Sequence, residues 1–229
     1  MEIGIILTPD ERSKAYLQKI LQNKITISEI LFMNDGRKET SFSEEIITKS
    51  KELGFNISES VKNTLNIHDL DFYEFNFVDI NNPILVEYLS KSKTDIFIFT
   101  GGGILRKDVL KAGPKFIHLH PGIVPNYRGS TCFYYSILNE DTAGVTAYFM
   151  DEKIDTGNVI FQKEFLKPNY AFVDDVYDSH IRSETLLEVL KNKMIQKNKI
   201  KKQNQNEGET YYVIHPVLKH IAILSCIKN

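Results

Sequence analysis

The sequence predicts an α/β protein: a Rossmann-like, mostly parallel sheet with helices on both faces and a small C-terminal appendage. Three observations carry that prediction. Short apolar runs at residues 3–7, 25–32, 72–78 and 95–100 alternate with longer stretches at helical spacing. Strands that alternate with helices assemble into a parallel sheet through right-handed crossovers. Turn-forming glycines and prolines sit directly behind strands, at Gly101-Gly102-Gly103 and Pro121-Gly122. The 229 residues, with 42% hydrophobic and 25% charged side chains, match one sheet protein with a modest addition.

Each element has its own justification. Residues 3–7 form a buried-type strand, and across 10–23 Ala15, Leu17, Ile20 and Leu21 recur near helical spacing. Residues 43–53, with Ile46 and Ile47, read as a helix stopped by Gly54. Residues 83–92 read as another, with Pro83 in the first turn, where its missing N–H costs nothing. The strand at 95–100 runs into Gly101-Gly102-Gly103, with Ile104-Leu105 as the expected helix start. Glycines there permit positive φ and let the backbone approach a ligand. A tight turn with no ligand is the other reading, and the absence of G-x-G-x-x-G argues against a dinucleotide. The turn Thr8-Pro9-Asp10-Glu11 puts acid at a helix start and so disfavours a phosphate there. Ligands of such sheets bind outside the strands' carboxyl ends, where Gly101 and Pro121 fall.

Residues 115–160 hold most of the chemistry. A strand over 116–119 carries His118 and His120 at alternate positions, so both imidazoles are expected to look out together. Pro121-Gly122 ends it, Pro125 and Gly129 bracket a turn holding Tyr127 and Arg128, and 131–139 reads as helix. A strand at 144–149 leads into the acidic loop Asp151-Glu152-Lys153-Ile154-Asp155-Thr156-Gly157. Two histidines and a carboxylate at strand ends make a proton-handling or metal-binding centre. Arg128 is open between holding turn carbonyls and touching a substrate. Cys132 reads as a small buried residue with no catalytic role.

Beyond the loop, 158–165 suggests an edge strand, and 173–190 a helix through Val176, Ile181, Leu186, Leu187 and Leu190. Six lysines between 191 and 202 read as a solvated helix end, and 203–209 as a polar linker. Residues 211–220 suggest a short strand and then an apolar helix, either a cap on the core or a subunit contact. The expected division is a catalytic domain at 1–190 and an extension at 191–229, without internal repeats. A net charge of −2 gives no reason to expect nucleic acid or an anionic membrane as partner. Two cysteines, Cys132 and Cys226, make no disulfide framework and suit a reduced cytoplasmic setting. Neither a secretory leader nor a membrane-length apolar run is visible, so a soluble cytoplasmic protein is expected.

His120, Pro125, Tyr127, Arg128 and Gly129, then Gly144-Val145-Thr146, then Asp151, Asp155 and Gly157 resemble a known signature. It is that of the formyltransferases using 10-formyltetrahydrofolate: Asn-x-His-x-Ser-Leu-Leu-Pro-x-Tyr-Arg-Gly, followed by Asp-x-x-x-Asp-x-Gly. The likeness covers about a fifth of the chain closely and most of the first 190 residues loosely. Here the family's catalytic asparagine falls on His118, Gly122 stands for serine, and Ile123-Val124 for two leucines. The resemblance implies the formyltransferase fold, 10-formyltetrahydrofolate as co-substrate, and His120, Asp155 and His118 as catalytic residues. It implies folate contacts at Gly101, Gly102, Gly103, Ile104, Leu105 and Asp151, and substrate contacts at Tyr127, Arg128 and Gly129. The chain shows neither the phosphate-gripping loop of the glycinamide ribonucleotide members, nor the C-terminal barrel of the initiator-tRNA members, nor the regulatory domain of the deformylating hydrolase. By resemblance the acceptor is then a small amine, foremost a nucleotide-linked amino sugar, with a homodimer allowed.

In the implied reaction an unprotonated amine attacks the formyl carbon on N10 of the folate. His120 would be oxyanion donor or proton shuttle, and Asp155 would orient or charge it and take the amine's proton. A neutral His118 can donate one hydrogen bond in place of the amide. A protonated one would depress both histidines through like-charge repulsion. Two other readings stand beside this: a metal-dependent hydrolase with His118, His120 and Asp155 on Zn or Fe, and a folate-binding relative that transfers nothing.

Overall fold

The computed structural model describes residues 1–34, 36–37, 40–77, 79–196, 200–204 and 207–227. Val78 of the expected third strand, 197–199 of the lysine run and 205–206 of the linker lie outside the described residues. The elements in order begin with β1 (Ile3–Leu7), α1 (Glu11–Gln22), β2 (Glu29–Met33), α2 (Glu44–Glu52), α3 (Val61–Ile67) and β3 (Tyr73–Phe75). There follow α4 (Pro83–Lys91), β4 (Ile96–Phe99), α5 (Lys107–Leu110), β5 (Lys115–His120), β6 (Tyr127–Gly129) and α6 (Cys132–Glu140). The chain closes with β7 (Thr142–Phe149), β8 (Val159–Leu166), α7 (Asp178–Lys191), β9 (Glu209–Tyr211) and α8 (Pro216–Ile227).

One seven-stranded sheet runs in the order β3-β2-β1-β4-β5-β7-β8, and β6 pairs with β9 in a second, two-stranded sheet. β1 is parallel to β2 and β4, β2 to β3, and β4 to β5, while β8 is antiparallel to β7 at one edge. The mostly parallel α/β sheet is as expected, and so is the edge position of β8.

By its contacts the chain forms two compact units: Met1–His118 with Met150–Glu152, and Leu119–Phe149 with Lys153–Asn229. In the first, Ile6, Leu31, Leu85, Phe97, Phe99 and Phe116 are among the side chains of one buried cluster. All four residues of β4 are buried, the continuous apolar run expected of an interior parallel strand. Each long helix here starts on a side-chain cap: Asp10 accepts from the Ser13 amide, Ser43 from Ile46, and Asn82 from Ile84 ahead of Pro83. In the second unit β7 and β8 form a long hairpin, α6 and α7 pack on β7, and α8, with Ala222 and Cys226 buried, packs on α6. Among the described residues no helix is long and apolar enough to cross a membrane.

Local departures from the sequence expectations have local causes. β2 starts at Glu29 instead of residue 25 because the Ile25 amide bonds to the Ile20 carbonyl, closing α1. Ile104 and Leu105 do not begin a helix; Arg106 is held extended, its amide on Asn81 Oδ1, and α5 starts one residue later. Helix α3, seven residues long, offers too few turns to show a period. The expected turn at Tyr127 and Arg128 is the strand β6, paired in parallel with β9 at Gly129↔Tyr211. The helix expected from 173 opens with a π-helical turn, Val173–Tyr177, before α7.

Candidate active site

β5 stops at His120 because Pro121 has no N–H to extend the ladder. The chain then folds back so tightly that a Cβ on Gly122 would lie 2.6 Å from the Tyr127 carbonyl oxygen. That return brings the Tyr127 carbonyl to 2.7 Å from His120 Nε2. The other ring nitrogen, Nδ1, is 3.3 Å from Asp155 Oδ2.

Asp155 is gripped from several directions. Its Oδ1 accepts from the Tyr148 hydroxyl at 2.7 Å, and its Oδ2 from the Gly129 amide at 2.7 Å. Its backbone is left-handed, φ +53, a conformation aspartate tolerates better than most residues. Two residues on, a Cβ at Gly157 would fall 1.7 Å from the Phe149 carbonyl oxygen, so only glycine lets the loop lie against β7. Gly129 is equally constrained, with φ +102 and a would-be Cβ 2.1 Å from the Tyr211 carbonyl oxygen. The spacing of these glycines and Asp155 is the trace of a loop and a strand pressed together.

Burial pushes His120 below the ordinary imidazole pKa, outweighing Asp155 and the Tyr127 carbonyl, which raise it. The Arg182 guanidinium also lowers it, and Asp178 raises it. Arg182 is itself buried, donating to Asp178 Oδ1 at 2.7 Å and to the Leu119 carbonyl at 2.8 Å. A neutral imidazole has one N–H, yet both ring nitrogens here face oxygens. The shorter contact puts that hydrogen on Nε2, toward Tyr127. The Nδ1 lone pair then faces the Asp155 carboxylate across the longer gap, and a proton arriving at that edge would be shared between the two. The pair can take up and return a proton.

Exposure corrects one expectation. His120 is 2% exposed and does not look out; its Nε2–H is spent on Tyr127, so in this arrangement it is not an oxyanion donor. His118 is half-buried, with Nδ1 3.3 Å from the Phe99 carbonyl oxygen, and belongs to the first unit. The forces that depress His120 are burial and Arg182, not the neighbouring histidine.

The other expected contacts divide. Gly102 and Gly103 face open space where a Cβ would stand, whereas a Cβ on Gly101 would strike the Phe99 ring at 2.7 Å. Ile104 is exposed, whereas the Leu105 side chain is packed in the first unit's core. Asp151 is half-buried in the loop after β7. Tyr127 is also buried: its ring stacks on Tyr211 at 5.3 Å, its hydroxyl donates to Glu140 at 2.8 Å, and burial pushes its pKa up to about 12. Arg128 is buried and donates to the Glu207 carbonyl, the carbonyl-holding role of the two weighed for it. Gly129 serves Asp155 through its amide. Burial pushes the Cys132 thiol up to about 12, which suits an inert residue. Among the described residues no three His, Cys, Asp or Glu side chains gather as a metal-ligand set.

Sequence reasoning missed Tyr148, the Arg182–Asp178 pair and Gln203, whose side-chain amide donates to the Asp155 and Gly157 carbonyls. Tyr148 has a faint signal, an inward tyrosine in a strand leading to the acidic loop. The Arg182–Asp178 pair has the local i,i+4 spacing of a helix, but the Leu119 carbonyl that Arg182 also holds is distant in sequence, and so are both partners of Gln203, which leaves no signal.

A family model described as formyl transferase matches residues 32–169. A methionyl-tRNA formyltransferase of Helicobacter acinonychis is 35% identical over 111 residues, 47% of this chain and 36% of that enzyme. Another, of Clostridioides difficile, is 27% identical over 218 residues, 93% of this chain and 65% of that enzyme. An N-formyltransferase from Helicobacter canadensis, solved in complex with folinic acid and dTDP-3-aminofucose, shares the fold. Its TM-score is 0.62 at 17% identity, covering 99% of this chain and 81% of that one. This chain spans less than half the length of the curated relatives from Helicobacter acinonychis and Syntrophus aciditrophicus. The family match runs through more than half of the sequence, over the strand, the acidic loop and the His120–Asp155 pair, and the chain is a member of the formyl transferase family.

Proposed function

We propose that this chain moves a formyl group from 10-formyltetrahydrofolate to the amine of a small metabolite, foremost a nucleotide-linked amino sugar. The observation that carries the reading is the buried His120–Asp155 pair, 3.3 Å apart and poised to hold one proton, in a member of this family. As the amine nitrogen bonds to the formyl carbon it loses a proton, which the pair takes. The bond from that carbon to N10 then breaks, and the pair returns the proton to N10. General acid–base help of this kind is worth about 10²–10⁴-fold in rate. Tyr148 and the Gly129 amide keep the carboxylate aimed throughout. His118 remains a proposed catalytic residue, and Gly101, Gly102, Gly103, Ile104 and Asp151 remain proposed folate contacts.

The amino-sugar acceptor is supported by the solved neighbour with dTDP-3-aminofucose bound, a likeness of fold. A second reading, formylation of methionyl-tRNA, is favoured by the names of the sequence relatives. Against it, a net charge of −2 supplies no overall electrostatic attraction to a phosphate backbone. A hydrolase built on His118, His120 and Asp155 has no such observation behind it.

The test is a thermal-shift titration with 5-formyltetrahydrofolate, followed by transfer of labelled formyl to amino-sugar nucleotides and to methionyl-tRNA. Ligand at 100 times its dissociation constant adds about 2.7 kcal/mol of stability. A raised melting temperature with transfer to a sugar amine is the expected result. No folate binding overturns the reading, binding without turnover identifies a non-catalytic relative, and transfer to tRNA alone replaces the acceptor.

A further inference from the structure

We infer that Gln203, in the polar stretch after α7, is a positioning residue for the Asp155 carboxylate, so that the C-terminal extension is a working part of the site. This rests on the formyl-transfer reading for its kinetic half only. Gln203 Nε2 donates to the Asp155 carbonyl at 3.0 Å and to the Gly157 carbonyl at 2.7 Å. Both amide hydrogens are thus spent on the one turn that holds Asp155 at φ +53. Turning the amide over would set its oxygen against two carbonyl oxygens, so the donors fix its orientation. Its Oε1 is buried with no partner among the described residues, as expected of an amide held by its nitrogen alone.

The segment that brings Gln203 is anchored on both sides. Lys201 and Val159 exchange backbone hydrogen bonds of 2.8 and 2.9 Å, and Tyr211 pairs with Gly129 in the small sheet. Gln203 holds the turn's backbone while Tyr148 and Gly129 hold its side chain. Remove the first, and the left-handed turn relaxes and carries the carboxylate off the Gly129 amide and His120.

Gln203→Leu, and Gln203→Glu as the variant of equal length, are compared with the parent chain. Two amides are followed by hydrogen exchange: Gly129, whose acceptor is Asp155 Oδ2, and Ser130, whose acceptor is the Tyr211 carbonyl. The expected result is about tenfold faster exchange at Gly129 with Ser130 unchanged. With it should come about a tenfold fall in kcat at unchanged KM for the folate, the scale of a slightly misplaced catalytic group. Equal acceleration at both amides would reduce Gln203 to a structural strap, and no change at Gly129 in either variant would overturn the inference outright. The exchange readout needs no turnover, so it stands or falls apart from the reaction assigned above.

Discussion

Two glycine-bearing loops at strand ends look alike in sequence and differ in the structure. In the loop after β4, Gly102 and Gly103 have no heavy atom within 4 Å of where a Cβ would stand. In the loop after β7, the Cβ of a residue replacing Gly157 would lie 1.7 Å from a backbone oxygen. The first loop is open at these two glycines. The second is closed on itself, as a loop that must hold one carboxylate in one place needs to be. Glycine leaves open space in one and permits close backbone contact in the other, and substitutions should separate the two.

The largest effect belongs to the closed loop. Gly157→Ala drives a methyl into the Phe149 carbonyl and is expected to cost on the order of 3 kcal/mol, read as a lowered urea midpoint with unchanged slope. A near-neutral result would mean that the loop yields easily and that its tightness is not functional.

The next effect is a pH dependence of the same region. Burial lowers the His120 pKa from its ordinary 6.5, so the unfolded chain binds the extra proton first as pH falls. Stability from the neutral ring is complete above about 6.5 and is lost as pH drops from there toward the lower folded value. The melting temperature should therefore fall on acidification through that window. His120→Gln should flatten this part of the profile, and an unaltered slope in that variant would place the proton uptake elsewhere.

The smallest effect is on the open loop. Gly102→Ala meets nothing and should change stability by less than about 0.5 kcal/mol. If it nonetheless weakens folate binding in the thermal-shift titration, the loop lines the pocket. If both stability and binding hold, the loop is a plain turn.

What the sequence revealed and what it hid follow from the range of the interactions. β1, β4 and α4 were legible because buried apolar runs and Pro83 are local signals. The His120 and Asp155 candidates were legible through the spaced glycines and prolines around them. The direction His120 faces was not, because alternation along a strand specifies a side and says nothing of what covers it. Tyr127 and Arg128 read as a turn because the strand that pairs with them, β9, lies about 80 residues later. Gln203 looked like linker for the same reason: a polar residue bonding two carbonyls leaves no periodic mark.

The most direct test is single-turnover transfer of labelled formyl from 10-formyltetrahydrofolate by the parent chain and by Asp155→Asn. The amide keeps the size of the carboxylate and gives up its capacity to hold the proton. The account predicts a loss of about 10²–10⁴-fold in rate with folate binding retained. Full-rate transfer by Asp155→Asn would contradict it, because the His120–Asp155 pair would then not be the group that takes the amine's proton.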